Sequence, residues 1–532
     1  MQLRSAASFF PPPCAPFILL SLFHLGCEGT RGGSGSPPPQ PNILFLYADD
    51  HAASATGSYG ASFGVTSNLD RLASQGMVFE RAFCANAICA PARAAVLTGK
   101  HGHINGLSDN AQSFDPAQDV FPRRLQGAGY ETALFGKWHL KCDPEGFDEW
   151  EVLPGQGVYY SPDLRSKDGT KRYQGHVTRV VTDRALDWLE NERDTEKPFL
   201  LMLQFKAPHR PWRPSLEQLS RFEGEDLPIP PTLFADHAKR GTAAKEQEMT
   251  IARHLWDWYD LKVPPVDPDG KLTGPDRAVS GLRSRMSPAE REGWDAAYNP
   301  RNAVFRQAGL EGEELVKWKF QRYLKDYLRC IAGVDAQVGR VLNRLKELGL
   351  EENTVVVYSS DQGFFLGENG WYDKRFMNEP ALQVPLLVRW PGVVAEGARN
   401  FDMVQNLDFA PTFLEIAGAE IPNEIQGDSF LPLLRGTTPQ DWKPSIYYEY
   451  TGEPTHNVAA HYGVRTTRWK LIRWPDLDEW ELFDIETDPQ EIRSLHDSSA
   501  RVPGFDSTYV DIREKLKVEL LRLRTMYRVP NP

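Results

Sequence analysis

The chain is 532 residues long, 41% hydrophobic and 25% charged, a balance that suits a soluble globular protein with a large core and more than one domain. A formal net charge of -12, with no long basic tract to offset it, argues against a general nucleic-acid binder, while a local cluster of cations can still hold a small anion. The six cysteines, Cys14, Cys27, Cys84, Cys89, Cys142 and Cys330, show no C-x-x-C spacing, which excludes a disulfide scaffold and a zinc knuckle and leaves a Cys84–Cys142 pair open.

Residues 1–27 read as an export signal. Arg4 supplies the positive start and Phe17 to Leu25 an apolar stretch too short to span a bilayer permanently. Gly26-Cys27 followed by a Gly-, Ser- and Pro-rich run, residues 28–40, resembles a bacterial lipoprotein signal with Cys27 lipidated and a flexible linker behind it. Plain cleavage and secretion is the alternative, and His24 departs from the aliphatic residue usual three before such a cysteine. Both place the mature protein outside the cytoplasm, periplasmic or secreted, and under the lipoprotein reading lipid on Cys27 is its membrane attachment.

From Pro41 one pattern recurs. Asn42 to Tyr47 is a short apolar run, the mark of a buried parallel strand, and Ala48-Asp49-Asp50-His51 follows it. Ser67 to Gln75 has helical spacing. Tyr130 to Phe135 predicts a second strand, followed by Gly136-Lys137-Trp138-His139. Val177 to Glu192 predicts a helix, then Phe199 to Phe205 a strand that ends in Lys206-Ala207-Pro208-His209. Residues 236–301 are polar and rich in Pro, Gly and charge, and read as a surface insertion beside the substrate cleft. Glu313 to Leu348 is the strongest helical pattern, and Thr354 to Tyr358 a fourth strand, followed by Ser359-Ser360-Asp361-Gln362-Gly363. Alternating strands and helices imply an α/β domain over residues 41–440, with a mostly parallel sheet covered on both faces. Ligands of such sheets bind beyond the carboxyl ends of the strands, where all this polar chemistry falls. Four closely spaced strands from Ser445 to Phe483 and a helix over Tyr509 to Met526 predict a smaller α+β subdomain at 441–532 with an antiparallel sheet.

Taken singly, adjacent aspartates are a solvated loop, a lone lysine a surface charge and a lone histidine beside proline a turn residue. Taken together, Asp49, Asp50, Asp361 and Gln362 offer three carboxylates and an amide oxygen, a set for a hard cation such as calcium or magnesium. Zinc prefers histidine and cysteine.

The run Cys89-Ala90-Pro91-Ala92-Arg93, closely followed by Leu97-Thr98-Gly99-Lys100, resembles the signature of the type I, formylglycine-dependent sulfatases of the alkaline phosphatase superfamily. The resemblance implies that Cys89 is oxidised to formylglycine (3-oxoalanine) by a formylglycine-generating enzyme, and that the hydrated aldehyde attacks sulfur. It implies calcium, rather than magnesium, on Asp49, Asp50, Asp361, Gln362 and the modified residue 89. It makes Arg93 the group that orients the aldehyde hydrate and Lys137 and Lys374 sulfate ligands. His139 becomes the base for the second hydroxyl and His209 the acid for the leaving alcohol. Related sequences carry Asn where Gln362 stands, a frequent Ser where Ala92 stands and a common His where Asn369 stands. The surroundings of Lys374 and His461 resemble glycosaminoglycan sulfatases, N-acetylglucosamine-6-sulfatases most of all, so a sulfated carbohydrate is the expected substrate. Lys100, Trp371 and His461 are expected to touch it, with Lys100 also steadying the Cys89 loop. Trp212, Tyr462 and His456 are weaker candidates. The alternatives are an iduronate-2-sulfatase, a general arylsulfatase, a phosphonate monoester or phosphodiester hydrolase, and a noncatalytic sulfated-glycan binder.

Overall fold

The computed structural model describes residues 40–267, 271–495 and 509–530. The signal expected at 1–27, the linker up to residue 39 and Cys27 lie outside the described residues. The body from Gln40 onward is one unit.

Its centre is a ten-stranded sheet. In chain order its strands are β1 (Asn42–Asp49), β2 (Met77–Phe79), β3 (Glu131–Lys137), β4 (Glu149–Leu153), β5 (Asp163–Ser166), β6 (Gly169–Arg172), β7 (Phe199–Pro208), β8 (Thr354–Ser360), β9 (Leu386–Arg389) and β10 (Ala398–Asn400). They lie side by side as β10-β2-β9-β8-β1-β7-β3-β4-β5-β6. The five strands from β8 to β4 are parallel, and antiparallel pairs flank them on both sides. The apolar run of β1 has a direct cause. Ile43, Phe45 and Tyr47 enter the core on one face and Leu44, Leu46 and Ala48 the core on the other, so no position of this strand can be polar until its end.

Helices α1 (Ser67–Ser74), α2 (Cys89–Thr98), α3 (Val177–Asp187), α4 (Pro288–Ala308), α5 (Gly312–Glu347) and α6 (Phe409–Ile416) belong to this body. A four-stranded antiparallel meander follows, β11 (Ser445–Tyr450), β12 (His461–Thr466), β13 (Trp469–Trp474) and β14 (Glu479–Asp484). On one face Tyr447, Val464, Leu471 and Leu482 pack against Leu516, Leu520 and Leu523 of α7 (Val510–Met526). On the other, Ile446, Tyr448, Ile472 and Phe483 join the core of the large sheet. The meander is thus a subdomain docked through a shared core.

One expectation needs correction, and one pairing left open is closed. Residues 236–301 are no loose surface insertion. Met249 is buried in the core on one face of the sheet and Ile251, Leu261, Trp294 and Tyr298 in the core on the other, and the segment's end falls inside α4, which opens with a Ser287–Glu290 capping box. The Pro and charge density hid a helix start that the cap spells out. Cys84, Cys89, Cys142 and Cys330 are all free thiols, so Cys84 and Cys142 form no disulfide.

His103 ties the two parts together, its Nδ1 2.8 Å from Glu449 Oε1 and its Nε2 2.9 Å from the Tyr527 carbonyl. Burial opposes the charged ring, but the Glu449 hydrogen bond and charge outweigh it and raise the imidazole above its ordinary 6.5. A raised histidine stabilises fully below its unfolded pKa and loses that contribution as pH rises through the folded one. Burial would raise Glu449, yet the His103 hydrogen bond lowers it below 4.5, so its contribution is lost on acidification. The melting-temperature advantage of the parent over His103→Ala is therefore expected to be larger at about pH 6 than at about pH 8.5, measured by calorimetry.

Candidate active site

The site sits beyond the carboxyl ends of β8, β1, β7 and β3. Register explains why the carboxylates meet. Ala48 of β1 pairs with Ser360 of β8, so Asp49 and Asp361, each the next residue, emerge side by side. On the other flank Asp49 lies opposite Pro208 of β7, which delivers His209. In a regular strand Asp49 and Asp50 would point to opposite faces. Asp50 instead has φ 70°, a left-handed turn that aspartate tolerates, and both carboxylates serve one place. Its N–H donates to Asp361 Oδ1 at 3.1 Å. Positive φ recurs at His139, Asp373 and Arg375, a concentration of strain of the kind found at functional sites.

Cys89 is the first residue of α2, with Pro91 in the first turn, a position where proline fits a helix. Arg93 lies one turn further along the same face. All ten residues of α2 are buried, so Arg93 is held by partners and not by water. It donates to Asp361 Oδ2 from Nε at 3.2 Å and Nη2 at 2.9 Å, and from Nη1 to the Lys137 carbonyl at 2.8 Å and Gln204 Oε1 at 2.5 Å. Lys137 donates to Asp49 Oδ2, and Lys374 to Asp50 Oδ1. The Cys89 sulfur lies 3.3 Å from Asp49 Oδ1, 3.5 Å from Gln362 Nε2 and 3.6 Å from Lys374 Nζ. At Gly136 a Cβ would stand 1.9 Å from the Gln204 carbonyl, so only glycine lets β3 bring Lys137 this close to β7.

Burial governs the electrostatics. It pushes the Cys89 thiol up to about 12, with the Asp49 charge adding to it, so the unmodified side chain is a neutral thiol at neutral pH. Burial, then Lys137, pushes His139 down to about 2, and burial likewise holds His209 well below the ordinary imidazole range. Its Nε2 is 3.9 Å from Asp50 Oδ2.

The residues present fit a divalent cation. Ligand atoms of Asp49, Asp50 and Asp361 lie within 4.8 Å of one another. Asp50 Oδ2 is buried without a hydrogen-bond partner, which is costly unless something positive or donating meets it; Gln362 turns its amide nitrogen to Asp50 Oδ1, and its Oε1 is buried without a partner. Burial and the Asp49 charge push Asp361 up to about 7: the three side-chain cations match the three carboxylates in number and do not offset the cost of burying them.

Of the expected site residues, Asp49, Asp50, Cys89, Arg93, Lys137, His139, His209, Asp361, Gln362 and Lys374 converge here. Three others do not. Lys100 stands past the far end of α2, about 15 Å along a ten-residue helix from Cys89, beside a small hollow with Asp119 and Glu424; Gly99 ahead of it, at φ 65°, is the helix cap. Trp371 is fully buried between Phe365, Phe376 and His237 and offers no face to a sugar. His461 is 1% exposed. Its Nδ1 meets the Ala459 carbonyl at 2.9 Å and its Nε2 accepts from the Met377 N–H at 3.2 Å. Trp212 is likewise a core residue.

His461 has a different task. The segment that carries Lys374 is gripped by the C-terminal subdomain. The Tyr448 hydroxyl donates to the Arg375 carbonyl. Lys470 Nζ donates to the Met377 carbonyl and to Glu491 Oε1, both at 2.6 Å, and lies 2.8 Å from Glu379 Oε1. Arg465 pairs with Glu379. This accounts for why a strand histidine so near the site faces inward.

The sequence reading also passed over residues that adjoin the site. Gln204 anchors Arg93. Lys206 is 2% exposed, and burial, then Lys137, pushes its ammonium down to about 7. Asp373 holds Arg375 and lies 3.1 Å from His456 Nε2, which is 3.3 Å from Arg210 Nη1. Their one signal was polarity at the tail of an apolar strand or directly beside Lys374.

The family model described as Sulfatase matches residues 41–419, and that described as N-sulphoglucosamine sulphohydrolase, C-terminal, matches residues 367–526. The chain is 42% identical over 485 residues to an N-acetylglucosamine-6-O-sulfatase of Bacteroides thetaiotaomicron, covering 90% of this chain and 86% of the relative. It is 26% identical over 553 residues to the N-acetylglucosamine-6-sulfatase of Homo sapiens, covering 93% and 87%. A solved structure of a protein in complex with its substrate D-glucosamine-2-N,6-O-disulfate superposes with a TM-score of 0.86 at 40% identity, covering 93% of this chain and 99% of that one.

Lys470 is fully buried between two carboxylates. Lys470→Met leaves Glu379 and Glu491 without it, and unfolding in denaturant is expected to show a loss of about 3–5 kcal/mol.

Proposed function

The chain belongs to the sulfatase family, whose members hydrolyse sulfuric esters, and on that premise we propose that it removes the 6-O-sulfate of glucosamine units in glycosaminoglycan fragments, N-acetylglucosamine 6-sulfate foremost, through a formylglycine made from Cys89. One observation carries the reading: the Cys89 sulfur stands 3.3 Å from Asp49 and 3.6 Å from Lys374, where an aldehyde hydrate would lie between the oxygen cluster and the cations. The 42% identity to an N-acetylglucosamine-6-O-sulfatase supports the sugar.

One hydroxyl of the hydrated residue 89 passes its proton to Asp49, 3.3 Å from the Cys89 sulfur, and attacks sulfur, and the sugar alcohol leaves as its sulfur–oxygen bond breaks. The second hydroxyl then loses its proton, the bond between carbon and sulfate oxygen breaks, sulfate departs and the aldehyde returns, to be rehydrated by water. Arg93 orients the hydrate. Lys137 and Lys374 take the charge of the sulfate oxygens. His139, neutral, is placed to accept the proton of the second hydroxyl. His209 gives its proton to the leaving alcohol; burial holds it neutral in the free protein, and a bound sulfate adds the negative charge that raises it.

Asp49, Asp50, Asp361, Gln362 and the modified residue 89 would hold calcium, favoured over magnesium by the number of oxygen donors and over zinc by their kind. When bound it supplies positive charge that offsets the buried carboxylates. Asparagine stands in related sequences where Gln362 does here. The glutamine amide is longer but can present its oxygen by rotating one torsion. A formylglycine-generating enzyme supplies the modification. Export, with lipid on Cys27, would place the enzyme where sulfated glycans arrive.

Defined mono- and disaccharides sulfated at the glucosamine 6-O position, the uronate 2-O position or an aryl group, with an aryl phosphodiester alongside, separate the candidate activities. Sulfate release is expected to be fastest from the 6-O-sulfated glucosamine and to vanish in Cys89→Ala. His139→Ala and His209→Ala are each expected to lower kcat about a hundred- to ten-thousandfold. Preference for the phosphodiester, or unchanged turnover by Cys89→Ala, would overturn the reading.

A further inference from the structure

Away from this site, a preformed hollow of about 500 Å³ lies between the loop at residues 222–229, the end of α4 and the first half of α5. The α5 residues that line it recur at 314, 317, 318, 321, 322, 325 and 329, one face of a helix by their spacing. A face turned toward the body of a protein is ordinarily apolar; this one carries four cations. With Arg301 of α4, five basic side chains line the hollow against three acidic ones; Arg301 pairs with Glu223, Lys317 with Glu314 and Arg329 with Asp326, which leaves Arg322 and Lys325 outside these pairs in a chain of net charge -12.

The walls are fixed by polar contacts that stop short of filling it. Gln321 pairs both ways with the Leu227 backbone, at 2.9 and 2.7 Å. Arg329 donates to the Arg221 carbonyl at 2.6 Å and to Asp326 Oδ1 at 2.8 Å, and Arg301 Nη2 donates to the Leu219 carbonyl at 2.7 Å and to Glu223 Oε1. Two guanidinium donors are left over. Arg322 is 7% exposed. Its flat faces lie near Tyr298 and Trp318, at 5.4 and 5.3 Å from the ring centres, its Nη2 is taken by Asn302, and its Nε is buried without a partner. Arg301 Nη1 is also buried without one. Two unmet N–H groups, buried and cationic, are costly unless an anion completes them.

We propose that this hollow is a second, noncatalytic site for a sulfated sugar unit, with a sulfate group on Arg301 and Arg322. Its volume suits a sugar better than a lone oxyanion, and the choice of sulfated sugar over another anion rests on the function proposed above, while the site itself does not. A carbohydrate-binding surface separate from the catalytic pocket would let the protein hold a glycan chain while it trims it.

The test titrates an N- and 6-O-sulfated glucosamine disaccharide into the Cys89→Ala protein, which cannot turn it over, by calorimetry. Two equivalents are expected, one at the catalytic pocket and one at the hollow. Arg301→Gln and Arg322→Met are each expected to weaken the second about tenfold or more. Retention of the first equivalent shows that the variant is folded. The unsulfated disaccharide is expected to give no second equivalent. A single equivalent in the Cys89→Ala protein whose affinity is unmoved by both arginine variants would overturn the proposal. So would a second equivalent insensitive to both, or a hollow that takes inorganic sulfate and refuses the sugar. Loss of the catalytic-pocket equivalent with the arginine-dependent one retained would count against the proposed function and support the hollow.

Discussion

Three carboxylates, Asp49, Asp50 and Asp361, are buried side by side, and most of the site is arranged to make that tolerable. Like charges in a low-dielectric interior repel strongly, and each one loses its water. The parallel register of β1 and β8 forces the approach, and the left-handed Asp50 completes it. Arg93, Lys137 and Lys374 answer it from three other parts of the chain, and the Asp50 oxygen that still lacks a partner marks where further positive charge belongs. The groups that balance the carboxylates are the groups that would receive a sulfate, so the interaction that makes the cluster tolerable also prepares the site for its substrate.

The C-terminal subdomain takes part in this arrangement. Lys374 reaches Asp50 from a segment whose neighbours Asp373 and Arg375 have strained backbones. Such a segment keeps its shape only where its surroundings over-determine it. Tyr448, His461, Lys470 and Arg465 do so, taking its carbonyls, an N–H and the Glu379 carboxylate. The meander therefore fixes a lysine it does not carry, and the two share the core beneath it.

The polar cluster of the candidate site was legible because it sits at abrupt changes of residue type. Strands with apolar central runs end in Asp49, Lys137, His209 and Asp361, and no packing argument accounts for so many polar tails. Cys89 and Arg93 were legible from the resemblance of their run to a family signature, and the meander from its regular short strands. Trp371 and His461 were misread because their burial is decided by elements distant in the chain: an indole or imidazole looks the same in sequence whether it meets a sugar or a core. Lys100 was misplaced because the signature run continues past a full helix, and adjacency in sequence is not adjacency in space. In residues 236–301 charge and proline masked Trp294 and Tyr298, whose partners lie on α5 and around Tyr160.

The account turns on the demand of the carboxylate cluster for a divalent cation. Its most direct test is elemental analysis of the protein by plasma mass spectrometry after exhaustive dialysis, set beside the Asp50→Asn/Asp361→Asn variant. The prediction is close to one calcium per chain in the parent and none in the variant. A parent that retains no divalent ion, or one that holds zinc in its place, would contradict it.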